Sequence, residues 1–204
     1  IIFDLDGTLI DSERPALLSA QEALAKMGFD VTMEFLSSLI GISDTEVAPR
    51  LNAHLNVDLD YADYENAFLE AHVDRRDTAL RPHVDAILHA LDLPLAVATS
   101  SRRPRAEEKL TNAGIQQHFA TVVTADCVAR HKPHPDPFLE AARRLSADPA
   151  RCLAVEDSPP GVAAALSAGM TVLHVPDMLV PERSDAHHLT QDLMDGLRAA
   201  GLAL

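Results

Sequence analysis

The feature that most narrows the fold is an alternation of short apolar runs with longer helix-like segments, interrupted once by a strandless stretch. The runs are Ile1-Ile2-Phe3, Leu93 to Ala98, Ala120 to Thr124, Cys152 to Val155 and Thr171 to Val175. Each is aliphatic, short and bounded by polar or turn-forming residues, the pattern of a strand buried on both faces. Between them Val84 to Leu91, Pro104 to Ala113, Pro135 to Leu145 and Pro160 to Ala168 read as helices, with Gly114 and Gly169 as stops. A last helix is expected over about His187 to Ala200. Strands alternating with helices predict a parallel sheet covered on both sides. Residues 14–80 break the pattern: Pro15 to Gly28 and Tyr61 to Leu80 read as helices with no strand among them. The expected organisation is an α/β core, residues 1–13 and 81–204, with a helical insert over 14–80 after the first strand.

Composition limits the partners. The net charge of −14 argues against nucleic acid or an anionic membrane, both of which need a basic face. An anionic substrate then requires a local positive element, such as a metal ion. Aromatic residues make up 4% and Trp is absent, so the core must be aliphatic. No apolar run approaches the roughly 20 residues that span a bilayer. Cys127 and Cys152 lack CxxC or Cys/His spacing, so no zinc site is indicated and they read as thiols in a reducing compartment. Ile1 already lies in a strand and is not a Met, so a few residues are expected to precede it; no secretory signal is visible.

Ligands of open parallel sheets bind beyond the carboxyl ends of the strands. There the sequence places Asp4 and Asp6, then Thr99-Ser100-Ser101, a loop with Lys132, and Glu156-Asp157. Asp4 and Asp6, two apart in an extended segment, point the same way and repel unless a cation lies between them. Oxygen donors near phosphate suit magnesium, with Asp157 a third carboxylate. An isolated Asp-x-Asp-Gly would be turn chemistry; Glu156-Asp157 at a second strand end favours the metal. Ser100 and nearby amides could hold phosphate oxygens at a helix start or simply cap that helix. Lys132, one of three lysines, sits between His131 and Pro133 in a proline-stiffened loop. It could neutralise phosphate and lower carboxylate pKa values. His131 and His134 read as loop residues.

Taken together these residues resemble the haloacid dehalogenase superfamily of phosphotransferases. Asp4-Leu5-Asp6-Gly7-Thr8-Leu9 matches its first motif and Ser100 its second; Lys132-Pro133-His134-Pro135-Asp136 resembles its third, and Glu156-Asp157-Ser158 with Gly161 and Ala168-Gly169 its fourth. The similar branch holds beta-phosphoglucomutase, phosphoglycolate phosphatase and sugar-phosphate phosphatases. The resemblance implies a Rossmann-like core with a helical cap at 14–80 that closes over the site, hinged near Ser12 to Pro15 and Leu80 to Pro82. It implies a cytoplasmic magnesium-dependent phosphatase, monomeric or weakly dimeric, acting on a small phosphorylated metabolite. In that scheme Asp4 is the nucleophile and Asp6 the acid and base. Magnesium is held by Asp4, the Asp6 carbonyl and Asp157, and Glu156 orients its waters. Ser100, Ser101 and Lys132 bind the phosphoryl group, and Gly41 in the cap loop meets the substrate. The sequence departs from the pattern at His131, at Pro159-Pro160 and at Asp44. The phosphomutase branch carries a basic residue where Asp44 stands, which favours hydrolysis over the alternative, a beta-phosphoglucomutase-like mutase. Arg102, Arg103 and the loop from Gly41 to Glu46 are candidates for specificity.

Overall fold

The computed structural model describes residues 1–39, 44–73, 79–177, 181 and 183–204, with backbone alone at 44–46 and 73. By contacts the chain divides into two compact units, Ile1–Asp11 with Asp77–Leu204, and Ser12–Arg76.

Among the described residues the first unit is built on six strands: β1 (Ile2–Phe3), β2 (Ala96–Ala98), β3 (Thr121–Val123), β4 (Leu153–Glu156), β5 (Thr171–His174) and β6 (His188–Leu189). Their order is β3-β2-β1-β4-β5-β6, and every pairing is parallel. The chain thus reverses its direction of winding between β1 and β4, which puts β1 at the centre. Side chains of a strand alternate between faces, and the two cores follow that alternation. Phe3, Val97, Val155 and Leu173 enter one buried cluster, whereas Ile2, Ala96, Ala98, Ala154 and Val172 enter the other.

Helices α5 (Val84–Ala90), α6 (Arg103–Asn112) and α9 (Leu193–Ala199) supply Ile87, Leu110 and Leu197 to the first cluster. Helices α7 (Asp136–Arg144) and α8 (Pro159–Ser167) supply Phe138, Ala141, Ala164 and Ala165 to the second. With both faces covered, the strands need no polar side, which is why they read as continuous apolar runs.

The second unit comprises α1 (Glu13–Lys26), α2 (Met33–Ser37), α3 (Asp44–Leu55) and α4 (Tyr61–Val73). Helix α1 buries Leu17, Ala20, Ala23 and Leu24, with Leu36, Leu51, Tyr64 and Ala71 from the other three helices also buried. Ser19, buried on α1, donates to the Pro15 carbonyl at 2.8 Å and pairs with His72 Nδ1 at 3.2 Å, so its hydroxyl is satisfied.

Two expectations need correction. The last helix starts at Leu193, not His187, because His188–Leu189 joins β5 as an edge strand and Asp192 caps the helix through Asp195 N at 3.0 Å. Leu80 is not the end of a helix: it bridges antiparallel to Ile10, and Asp11 N donates to the Ala79 carbonyl at 2.9 Å. A nonlocal backbone pairing overrides the local helical pattern there.

Candidate active site

The loop after β1 begins inside the sheet. Asp4 N donates to the Val155 carbonyl at 2.9 Å, so Asp4 continues the ladder before the chain turns. Fully buried Leu5, Leu9 and Ile10 fix that turn, closed by Leu9 N and Ile10 N to the Leu5 carbonyl, each at 3.0 Å. Gly7 has φ +81°, and a Cβ there would stand 2.2 Å from Asp157 Oδ2. Glycine is therefore needed twice over, for the backbone angle and for the approach of a carboxylate. Thr8 Oγ1 donates to Asp157 Oδ1 at 3.1 Å and ties the loop to the end of β4.

Three carboxylates converge beside it. Oxygen atoms of Asp4, Glu156 and Asp157 all lie within 4.8 Å of one another. Asp4 is buried and Glu156 wholly so. Lys132 Nζ donates to Asp4 Oδ1 and, at 2.6 Å, to Glu156 Oε1, with the Phe138 ring centroid 5.1 Å away. The other Glu156 oxygen, Oε2, accepts from Asp157 N and Ser158 N, both at 3.1 Å, and from Ser158 Oγ at 2.9 Å. Glu156 is thus saturated with donors, which makes it the post that orients Lys132 and the Asp157 loop. Ser158 in turn caps α8 through Gly161 N at 3.2 Å.

Electrostatics follow from the burial. Desolvation pushes the Asp4 pKa up to about 8; Lys132 opposes this, and the charges of Glu156 and Asp6 add to it. Burial works against the Lys132 ammonium, but Asp4 and Glu156 outweigh it and raise its pKa. Lys132 is a compensating charge in the core, not a surface lysine.

Asp6 sits outside the carboxylate trio. Its Oδ1 accepts from Lys109 Nζ and its Oδ2 from Ser101 Oγ at 2.8 Å. Relief of charge on its side chain therefore comes from a lysine as well as from any cation. Ser101, expected at the substrate, spends its hydroxyl on Asp6, and its amide donates to Thr99 Oγ1 at 3.0 Å. The Arg103 amide, at the start of α6, donates to Asp126 Oδ2 at 2.7 Å. Ser100 is exposed beyond β2. Gly41 lies outside the described residues, as do the side chains of Asp44 to Glu46.

Sequence reasoning missed Lys109 and His174. Lys109 lies in an ordinary Glu-Glu-Lys helical stretch. His174 is buried, with Nε2 2.9 Å from the Asp157 carbonyl and Nδ1 2.7 Å from Ser184 Oγ, so it braces the backbone behind Asp157. Its signal was present: a histidine inside an otherwise apolar strand.

A model of the haloacid dehalogenase-like hydrolase family matches residues 1–175. The chain belongs to that family. It is 31% identical to the fructose-1-phosphate phosphatase YqaB of Escherichia coli over 86% of its own length and 95% of that protein's. It is 29% identical to the bifunctional riboflavin kinase/FMN phosphatase of Arabidopsis thaliana, covering 97% of this chain but 53% of that longer protein. Its fold resembles that of a family hydrolase from Deinococcus radiodurans, solved with bound phosphate and sodium, at TM-score 0.83 and 30% identity over 98% and 93% of the two chains. Family membership thus agrees with a parallel sheet whose acids, lysines and serines gather at one edge.

The donor set suits a hard divalent cation: Asp4 and Asp157 offer carboxylate oxygens from adjacent strand ends, and burial leaves Asp4 short of compensating charge. Gly161 tests how tightly this corner is built, since a Cβ there would fall 1.8 Å from Glu156 Oε1. Gly161→Ala is expected to displace Glu156, cost about 1–3 kcal/mol and remove most activity. Urea unfolding of the variant beside wild type checks the first effect and phosphate release the second.

Proposed function

We propose that the chain is a magnesium-dependent phosphatase that hydrolyses a small phosphorylated metabolite, such as a sugar phosphate, through a phosphoaspartate on Asp4. The observation that carries this reading is the meeting of Asp4, Asp157, Glu156 and Lys132 at the carboxyl ends of β1 and β4. The named activities of the Escherichia coli and Arabidopsis relatives, and the phosphate in the Deinococcus structure, support the substrate class.

Asp4 Oδ attacks phosphorus while the bond from phosphorus to the leaving oxygen breaks, and Asp6 delivers a proton to that oxygen. Water then attacks the phosphoaspartate, Asp6 takes its proton, and orthophosphate leaves with Asp4 restored. Lys132 meets charge on the transferring phosphoryl group from a fixed position, and Ser100 offers a hydroxyl beside it. A magnesium ion, held by Asp4, Asp157 and the Asp6 carbonyl, would supply the positive charge that lets an anionic carboxylate approach an anionic phosphate.

A screen of phosphorylated metabolites, with magnesium or with chelator, tests the proposal. Phosphate release that stops with chelator and returns with magnesium is the expected result. Turnover indifferent to both would overturn it. Cation binding should also release a proton. Asp4 in the ion-free protein titrates at about 8 against an ordinary 3.8. Between those values the folded chain holds a proton that the unfolded chain has lost, so ion-free stability falls as pH rises through that window. The cation must displace this proton, so magnesium affinity is expected to rise with pH up to about 8. Titration calorimetry in buffers of different ionisation enthalpy reads the released proton.

A further inference from the structure

Two of the three lysines of this chain lie against acids at the carboxyl edge of the sheet, and only Lys132 has a role so far. Helix α6 buries Ala106, Lys109 and Leu110, and Ala106 and Leu110 enter the aliphatic core. A leucine or methionine would suit such a position. A lysine there gives up hydration and rotamer freedom, so it persists only with compensation. Asp6 supplies it: Lys109 Nζ donates to Oδ1 while Ser101 Oγ donates to Oδ2. The Lys109 side chain is 9% exposed and that of Asp6 29%. The carboxylate is gripped from the protein side and open on the other. A carboxylate has about four acceptor sites, so two remain for a water.

We propose that Lys109 is a positioning residue that aims Asp6 as the base in hydrolysis of the phosphoaspartate, an inference that rests on the Asp4 reading above. In that half-reaction a water oxygen bonds to phosphorus and the bond from phosphorus to Asp4 breaks. The bonding pair stays on Asp4, the water proton passes to Asp6, and orthophosphate departs. The angle of attack is set by the lone pairs of Asp6 that stay open, and two donors on opposite oxygens stop the carboxylate from turning. Formation of the phosphoaspartate from a donor whose leaving group is already a stable anion needs no proton, so it should not depend on Lys109.

The test uses 2,4-dinitrophenyl phosphate with magnesium in a rapid-mixing experiment on wild type, Lys109→Met and Lys109→Arg. The expected result for Lys109→Met is a phenolate burst at the wild-type rate followed by a steady state slower by about 10- to 100-fold, a fraction of what a general base contributes. Lys109→Arg should recover part of the slow phase. Beryllium trifluoride, a mimic of the phosphoryl group on Asp4, should bind Lys109→Met as it binds wild type by fluorine NMR, because binding needs no base. Equal slowing of burst and steady state, no slowing of either, or loss of beryllium trifluoride binding would overturn the role. If wild type itself gives neither burst nor beryllium trifluoride binding, the Asp4 nucleophile fails and this inference falls with it. Should Lys109→Met melt at assay temperature, the two phases are read in Lys109→Arg, where slowing confined to the second supports the role and any other pattern overturns it.

Discussion

Asp4→Asn is expected to lower phosphate release by about 10⁴-fold or more, the scale seen when a covalent nucleophile is removed. The amide keeps the shape of the side chain but offers phosphorus no anionic oxygen. Its nitrogen would also face Lys132 Nζ, which now donates to Asp4 Oδ1. The fold should survive, because Lys132 keeps Glu156 as a partner at 2.6 Å. Loss of turnover with an unchanged melting curve is therefore the expected pair of results. Turnover within tenfold of wild type would show that another group attacks phosphorus.

Lys132→Ala should damage fold and activity together. Its ammonium lies between two buried carboxylates, with side-chain exposures of 6% for Lys132, 9% for Asp4 and 0% for Glu156. Removing one partner of a buried ion pair leaves uncompensated charge and costs about 3–5 kcal/mol. For a chain of this size each kcal/mol lowers the melting temperature by roughly 2–4 °C, so a fall of about 10 °C is expected by calorimetry. Lys132→Met fills the volume but not the charge and should recover little. Magnesium should recover some stability in both variants by compensating Asp4, and little activity, because in the proposed mechanism the phosphoryl group loses its fixed cation. A lysine variant with wild-type melting would mean that Glu156 and Asp4 are compensated elsewhere.

Much of the site was legible because its pieces stand at strand ends, where a short apolar run stops at a charged residue. Asp4 after Ile1-Ile2-Phe3 and Glu156-Asp157 after Cys152 to Val155 are such stops, and the structure brings these acids together. Lys132 needed its proline-flanked loop to stand out. Lys109 could not be read, because one helical turn mixes exposed and buried positions and a lysine next to two glutamates looks like solvent chemistry. Only the sheet, which lays Asp6 beside α6, reveals it. The same limit explains the pairing of Ser101 with Asp6 and the two-residue strand β6, since each depends on neighbours remote in sequence. Helices were legible to within a few residues where glycine or proline marked an end, and failed near His187 and Leu80 where pairing with a distant strand decided the conformation.

The strand that leads into Asp4 is two residues long, yet it is flanked on both sides, by β2 and by β4. So short a segment has almost no tendency to hold itself extended. It becomes ordered when its partners arrive, and the ties that complete the pocket join residues 128 and 149 positions apart. Contacts of such long range form slowly, after the entropy of closing the intervening chain has been overcome. Catalytic competence should accordingly be a late event in refolding: helical signal returns first, and turnover only when the carboxyl-terminal half has docked onto the amino-terminal strand. A polypeptide cut before Glu156 would keep Asp4 and Lys132 but lack the two carboxylates that gather beside Asp4.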